Sequence, residues 1–350
     1  MESFIHRCPA SEPEQIQTVR FCHAVHRILI SRRNLLKKGG MCIRIGCMES
    51  QQHSIEQRKT EYRNGLIASI GCMTLWGVLP IYWKALVPIS SWIIIIYRIF
   101  LVHIFAIILA KTKFSWQEIF GPIRSDRKLA LKYLAAGAVI TTNWSTYIWA
   151  VNAGHVIDSS VGYYIEPLMV CLFGMLIFRE KLTIYKGIAM ALALLAVIIL
   201  LVHFHTFPGI ALGLAVSFAV YSAIKKTVTQ PPLISLVYET IFFAPPALVV
   251  IIWLELNGRG ALGMGQPYQY GLLLLCGLLT VIPLSLFASA AQKVPLFTLG
   301  LTEYISPTIS LILGVFFFRE AFDGIQFLAV AIIWVGLVFF SVGELREQRT

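Results

Sequence analysis

From Gly65 to Gly343 the chain is a succession of apolar blocks of about twenty residues, separated by short polar connections. A helix rises 1.5 Å per residue, so a block of that length crosses the roughly 30 Å of hydrocarbon in a bilayer. Inside hydrocarbon every backbone polar group needs an internal partner, which makes helices of such blocks. Ten are read, near 66–86, 91–110, 130–151, 157–178, 184–203, 209–226, 234–254, 270–291, 296–318 and 324–343, numbered spans one to ten. A chain with 57% hydrophobic and 13% charged residues has too little polar surface to bury these blocks as a soluble protein would. The expected fold is therefore an all-α membrane protein with ten transmembrane helices.

The net charge of +11 is explained by its distribution. Residues 1–64 carry eleven Lys and Arg against six Glu. With the N-terminus inside, 25 Lys and Arg fall on the inner side, among them Lys111, Arg124, Lys132, Arg179, Lys186, Lys225, Lys226 and Arg346. Only Lys84, Arg259 and Arg319 fall outside, and Arg98 lies within a span. Such a bias orients membrane proteins and places both termini in the cytoplasm; no basic groove for nucleic acid is implied. Residues 1–64 have no apolar run fit for a signal peptide. They are expected to form a disordered extension, with a weak surface helix at Phe21–Ile30 as the alternative. Met48 opens Met-Glu-Ser-Gln-Gln and reads as an alternative translation start, in which case residues 1–47 are not translated. Residues 344–350 are expected as a short cytoplasmic tail.

The second half repeats the first. At an offset of 140 residues, Gly162-Tyr-Tyr-Ile-Glu-Pro167 aligns with Thr302-Glu-Tyr-Ile-Ser-Pro307. The register continues without a gap through Gly174 on Gly314 to Phe178-Arg179-Glu180 on Phe318-Arg319-Glu320. Span four then overlies span nine and each half, 65–204 and 205–343, holds five spans. An odd number inverts the second half relative to the first, an architecture in which transporters place a site between the halves near the midplane. Pro167 and Pro307 each remove a helical hydrogen bond at corresponding depths; they act either as hinges or as static bends.

Charges at hydrocarbon depth cost about 2.5–3.5 kcal/mol on insertion scales and face a bundle interior or a cavity. Arg98, Glu166 and Glu303 are of this kind, and Glu239 stands in span seven. Either Arg98 pairs with a buried Glu, or Arg98 receives an anionic solute and Glu303 a proton. Trp76, Asn143 and Trp144 lie deeper than the aromatic belt that Trp and Tyr form at interfaces, and join Tyr164 and Tyr304 as expected pathway residues. The seven cysteines show no Cys-x-x-Cys spacing, and His203 and His205 have no third ligand nearby, so no disulfide framework and no metal site is expected. Neither a phosphate-binding loop nor a His-Glu-x-x-His motif is present, so ATP-driven work, a cofactor and catalytic residues are not expected.

Leu75-Trp-Gly-Val-Leu-Pro-Ile-Tyr-Trp-Lys84, Asn143-Trp144, Ile148-Trp-Ala-Val-Asn152, Ser160-Val-Gly-Tyr-Tyr-Ile-Glu-Pro167, Thr280-Val-Ile-Pro-Leu284 and Thr298-Leu-Gly-Leu-Thr-Glu-Tyr-Ile-Ser-Pro307 resemble the RarD family, EamA-type members of the drug/metabolite transporter superfamily. The resemblance covers about 62–345. It implies two inverted five-helix EamA repeats in a bacterial inner membrane that move small metabolites or drugs. The chain departs from the family where His-Arg becomes Tyr97-Arg98. It departs again where Asn before the first proline and Gln four before the second become Glu166 and Glu303, so a shared substrate does not follow. The expected function is a secondary transporter working by alternating access. Its expected partners are the bilayer, a small solute and protons, and a homodimer is the candidate assembly. The alternative from another class is a polytopic membrane enzyme acting on lipids, but the clustered interfacial acids, His or Cys it would need are not evident in the sequence.

Overall fold

The computed structural model describes residues 36–152, 156–204, 209–317 and 323–347, with side chains over 56–150, 161–204, 209–317 and 323–346. The expectations for residues 1–35, the Asn152 side chain, His205 and Phe318-Arg319-Glu320 lie outside these. Helices account for nearly all of the described chain, and none of it is in a strand. The first helix is Leu36–Ala85, so residues 36–64, expected as part of a disordered extension, are helical. Their run of Lys, Glu, Gln and Arg without proline favours that state.

Among the described residues nine helices are long and apolar enough to cross a membrane: Glu56–Ala85, Ser91–Lys111, Val161–Phe178, Ile184–Phe204, Gly209–Lys226, Ala244–Met264, Pro267–Lys293, Leu296–Phe317 and Gly324–Arg346. The remaining span, three, is the 26-residue helix Arg127–Asn152. Its length suffices, but Thr141, Thr142, Asn143, Ser145 and Thr146 make its second half polar. Between spans two and three a short helix, Trp116–Ser125, is closed by a capping box in which Ser115 and Glu118 exchange bonds.

Two spans are not single helices. Span seven consists of Pro232–Thr240 and Ala244–Leu256. Pro245 and Pro246 lack the N–H groups that the carbonyls of Ile241 and Phe242 would receive, and a new helix starts with these prolines in its first turn. This corrects the expectation of an unbroken span at 234–254. Span nine consists of Leu296–Glu303, Ile305–Ile312 and a π-helical turn at Leu313–Phe317. Its first interruption falls where Pro307 deprives the Glu303 carbonyl of a partner. Span four, by contrast, runs as one helix, Val156–Phe178, through Pro167.

The packing has the pattern that exchange of two five-span halves requires. Span two packs against eight, and span three against seven; span four packs against six, and span three against six. The exchanged counterparts of the latter two, one with nine and one with eight, are present in the contacts of Ser69 with Thr302 and of Gly71 with Leu286. Pairs two–seven, four–nine and five–ten, which map onto themselves, are all in contact. Close approach is bought by small residues: a Cβ on Gly277 of span eight would lie 2.6 Å from the Leu101 carbonyl carbon, and one on Gly300 of span nine 2.8 Å from the Pro167 oxygen.

Candidate substrate pathway

Arg98 stands seven residues into span two, about 10 Å along the helix from its start. Its guanidinium lies 3.8 Å from the ring centroid of Trp144 and 5.6 Å from that of Trp83. A cation held over indole faces is stabilised by the ring quadrupole, more so away from water. Its Nε is buried and has no acceptor, and no ion pair to Arg98 occurs among the described residues. Buried cation–carboxylate pairs lie elsewhere, one of them Lys186 with Glu344 at 3.0 Å. Lys225, fully buried, donates to Glu239 and, at 2.6 Å, to Ser235, while Tyr221 donates to Glu239 at 3.0 Å. Lys225, counted in the sequence among residues flanking the membrane on the inner side, thus points into the bundle.

Glu303 is 4% exposed, and neither of its carboxylate oxygens has a hydrogen-bond partner among the described residues. Glu166, half-buried in span four, is close enough for the two carboxyl groups to act on each other electrostatically. The thiols of Cys72 and Cys171 lie within electrostatic reach of Glu303 as well. Tyr163 sits within electrostatic reach of both Glu166 and Arg98, and its ring meets Tyr147 edge-on at 5.4 Å. Arg98, Tyr163, Glu166 and Glu303 therefore form a line of polar groups, each within electrostatic reach of the next, in which the Tyr163 ring is partly exposed. The line enters from the end at which spans two and four begin. It reaches Glu303, seven residues from the start of span nine at the opposite end.

The other expected pathway residues divide. Tyr304 is buried beside Glu303, and its hydroxyl donates to the Tyr164 carbonyl at 3.0 Å, so Tyr304 borders the line while the Tyr164 ring packs against apolar clusters. Trp144 belongs to the line through Arg98. Trp76 packs against Phe218 and Phe287 at centroid distances of 6.1 and 5.6 Å, in an apolar cluster. Asn143 is 7% exposed and spends its amide on the Leu214 carbonyl and the Ser217 hydroxyl, both at 2.8 Å, tying span three to span six. Tyr163 is not marked by charge in the sequence; its place one turn before Pro167, beside Tyr164 and Glu166, is the signal that points to it. A small cleft lined by Thr141, Trp144, Tyr221, Glu239 and Thr240 opens at the break in span seven. No cluster of three or more His, Cys, Asp or Glu fit for a metal occurs among the described residues.

A multi-pass helical bundle with polar groups that lack fixed partners at hydrocarbon depth is a membrane protein whose interior is suited to meet a solute or an ion. The EamA-like transporter family model matches the chain twice, over residues 63–202 and 208–342, and the chain belongs to that family. A protein named RarD from Streptomyces exfoliatus is 37% identical over 293 residues, 83% of this chain and 92% of the relative. An uncharacterized transporter from Vibrio cholerae is 35% identical over 285 residues, 81% and 94% of the two chains. A crystal structure 16% identical in sequence superposes with a TM-score of 0.62 over 79% of this chain and 96% of that one, a likeness of fold.

Proposed function

We propose that the protein is a secondary transporter that moves a small polar metabolite or drug-like solute across the bacterial inner membrane by alternating access between two inverted five-helix repeats, 65–204 and 205–343. Both termini face the cytoplasm in this reading, as the distribution of Lys and Arg supports. The observation that carries it is the line Arg98–Tyr163–Glu166–Glu303, which runs between spans of both halves. Buried charges without fixed partners are costly and are retained where a solute or ion engages them. Arg98, held by Trp144, meets an anionic group of the solute; Glu166 and Glu303 share the proton whose movement drives the cycle. Tyr304 borders the acids with its hydroxyl on the Tyr164 carbonyl, and Pro167 and Pro307 serve as the hinges. Trp76 and Asn143, given their packing, shape the walls rather than touch the solute.

The solute is found by comparing metabolites exported by cells with and without the gene. With that solute in proteoliposomes, Glu303→Gln abolishes flux driven by a pH gradient while counterflow at equal pH persists. Unchanged gradient-driven flux would remove the proton role.

A further inference from the structure

Phe178-Arg179-Glu180, the first copy of the repeated motif, has no place in the polar line, yet it makes a polar contact of its own at one end of the bundle. The first turn of span nine needs partners for its free N–H groups. Its N-cap is Pro295, which offers no side-chain bond. The missing cap comes from 116 residues earlier: the Glu180 carboxylate accepts the Leu296 N–H at 2.6 Å and the Phe297 N–H at 2.7 Å. Each element of the motif serves this reach. Arg179 takes φ +52°, which turns the chain back after span four. The Glu180 N–H then returns to the Gly174 carbonyl at 3.2 Å. Gly174 leaves room for the carboxylate, since a Cβ there would lie 2.7 Å from Glu180 Oε2 and 2.9 Å from the Phe297 nitrogen.

Other elements converge on the same turn. Lys226, at the end of span six, donates to the Val294 carbonyl. Thr298 donates to Glu344 of span ten at 3.3 Å, and Glu344 in turn holds Lys186 of span five at 3.0 Å and Tyr62 of span one. Directly behind the turn, the fully buried Cys171 of span four gives its thiol to the Phe297 carbonyl at 3.3 Å. Ties from spans one, five, six and ten and from the four–five connection thus hold the beginning of span nine against span four.

We propose that Glu180 is the latch of a gate at this end. While its carboxylate caps span nine the path past Glu303 is shut, and release of the cap lets the first turn of span nine part from span four. This rests on the transport reading, in which this end faces the cytoplasm. A charged acceptor on two backbone N–H groups suits the task, because such bonds are strong while dry and are readily replaced by water once opened.

Cys171 is the reporter, since a thiol reacts only when it is reached as thiolate from water. In the full-length chain with the other six cysteines replaced, a membrane-impermeant maleimide is applied to inside-out vesicles. We expect Glu180→Gln to speed labelling of Cys171 about tenfold, the effect of 1.4 kcal/mol on the opening equilibrium. Gly174→Ala, which keeps the acid but fills its seat, should act in the same direction. If both variants are monodisperse and label at the parent rate, the latch does not exist; a lower melting temperature with unchanged labelling would likewise reduce Glu180 to a helix cap. The labelling needs no solute and no pH gradient. Its failure leaves the Glu303 flux result standing, and absence of flux leaves the labelling result intact.

Discussion

Lys225 and Glu239 offer the sharpest test of the packing. Both are buried, at 0% and 3% side-chain exposure, and Glu239 also accepts hydroxyls from Tyr221 at 3.0 Å and Ser235 at 3.1 Å. Removing one member of such a pair strands the other, at about 3–5 kcal/mol, whereas replacing both by apolar residues of similar size is often neutral or better. In Lys225→Met two hydroxyl donors still face the carboxylate, which puts the loss near the lower limit, about 3 kcal/mol. In Lys225→Met/Glu239→Leu no charge remains, and the cost falls to the loosened hydroxyls of Ser235 and Tyr221, about 1 kcal/mol each. The double variant should therefore melt above the Lys225→Met single in detergent micelles, with a coupling of at least about 1 kcal/mol from the cycle of four proteins. Additive losses would mean that the two side chains do not meet, and the register between spans six and seven would have to be abandoned.

Two further outcomes are expected from substitutions outside that cluster. Within span eight, Gly277→Ala should destabilise by about 1–3 kcal/mol because its methyl would press on Leu101 at 2.6–2.7 Å, while Gly271→Ala, with open space around it, should be neutral or stabilise by up to about 1 kcal/mol; melting temperatures of the two in parallel decide it, and equal values would refute the helix contact. Asn143→Leu should lose about 1–3 kcal/mol, the net worth of the two bonds its amide makes; the Ser217 hydroxyl keeps its bond to the Leu214 carbonyl at 2.9 Å, so Ser217→Ala should cost less in that background than in the parent; a fully additive double variant would place Asn143 elsewhere.

Much of the scaffold was legible in the chain because hydrocarbon imposes a one-dimensional rule. The blocks read at 184–203 and 209–226 became Ile184–Phe204 and Gly209–Lys226, since apolar length alone decides where such helices run. The same rule is blind to backbone breaks. Pro245 and Pro246 stood in plain view within span seven, but an apolar average does not register a missing N–H. Lys225 was misplaced for a related reason: nearness to a span's end says nothing of which face a side chain takes, and its partner Glu239 lies on another helix. In the candidate site, Arg98, Glu166 and Glu303 stood out as charges in apolar runs. Tyr163 did not, because tyrosine is unremarkable in a membrane span until its neighbours are known. The cap that Glu180 supplies to Leu296 joins residues that no local pattern connects.

The repeat itself carries more information where its two copies differ than where they agree. Tyr-Ile-x-Pro occurs in both halves, yet span four continues through Pro167 while span nine is interrupted at Tyr304. Local chemistry is nearly the same, so the surroundings select the backbone. The Tyr304 hydroxyl reaches the Tyr164 carbonyl at 3.0 Å, supplying a donor within the turn that Pro167 weakens, and the bare backbone of Gly300 lets that turn lie against span nine. On the other side, the Tyr304 carbonyl is satisfied within its own segment, by the N–H and the hydroxyl of Thr308 at 3.2 and 2.7 Å. Span four thus leans on span nine around Pro167, whereas the break in span nine is satisfied from within. In the transport reading proposed above, exchange of these unlike conformations between the two equivalent segments would open the inverted pair first to one side and then to the other.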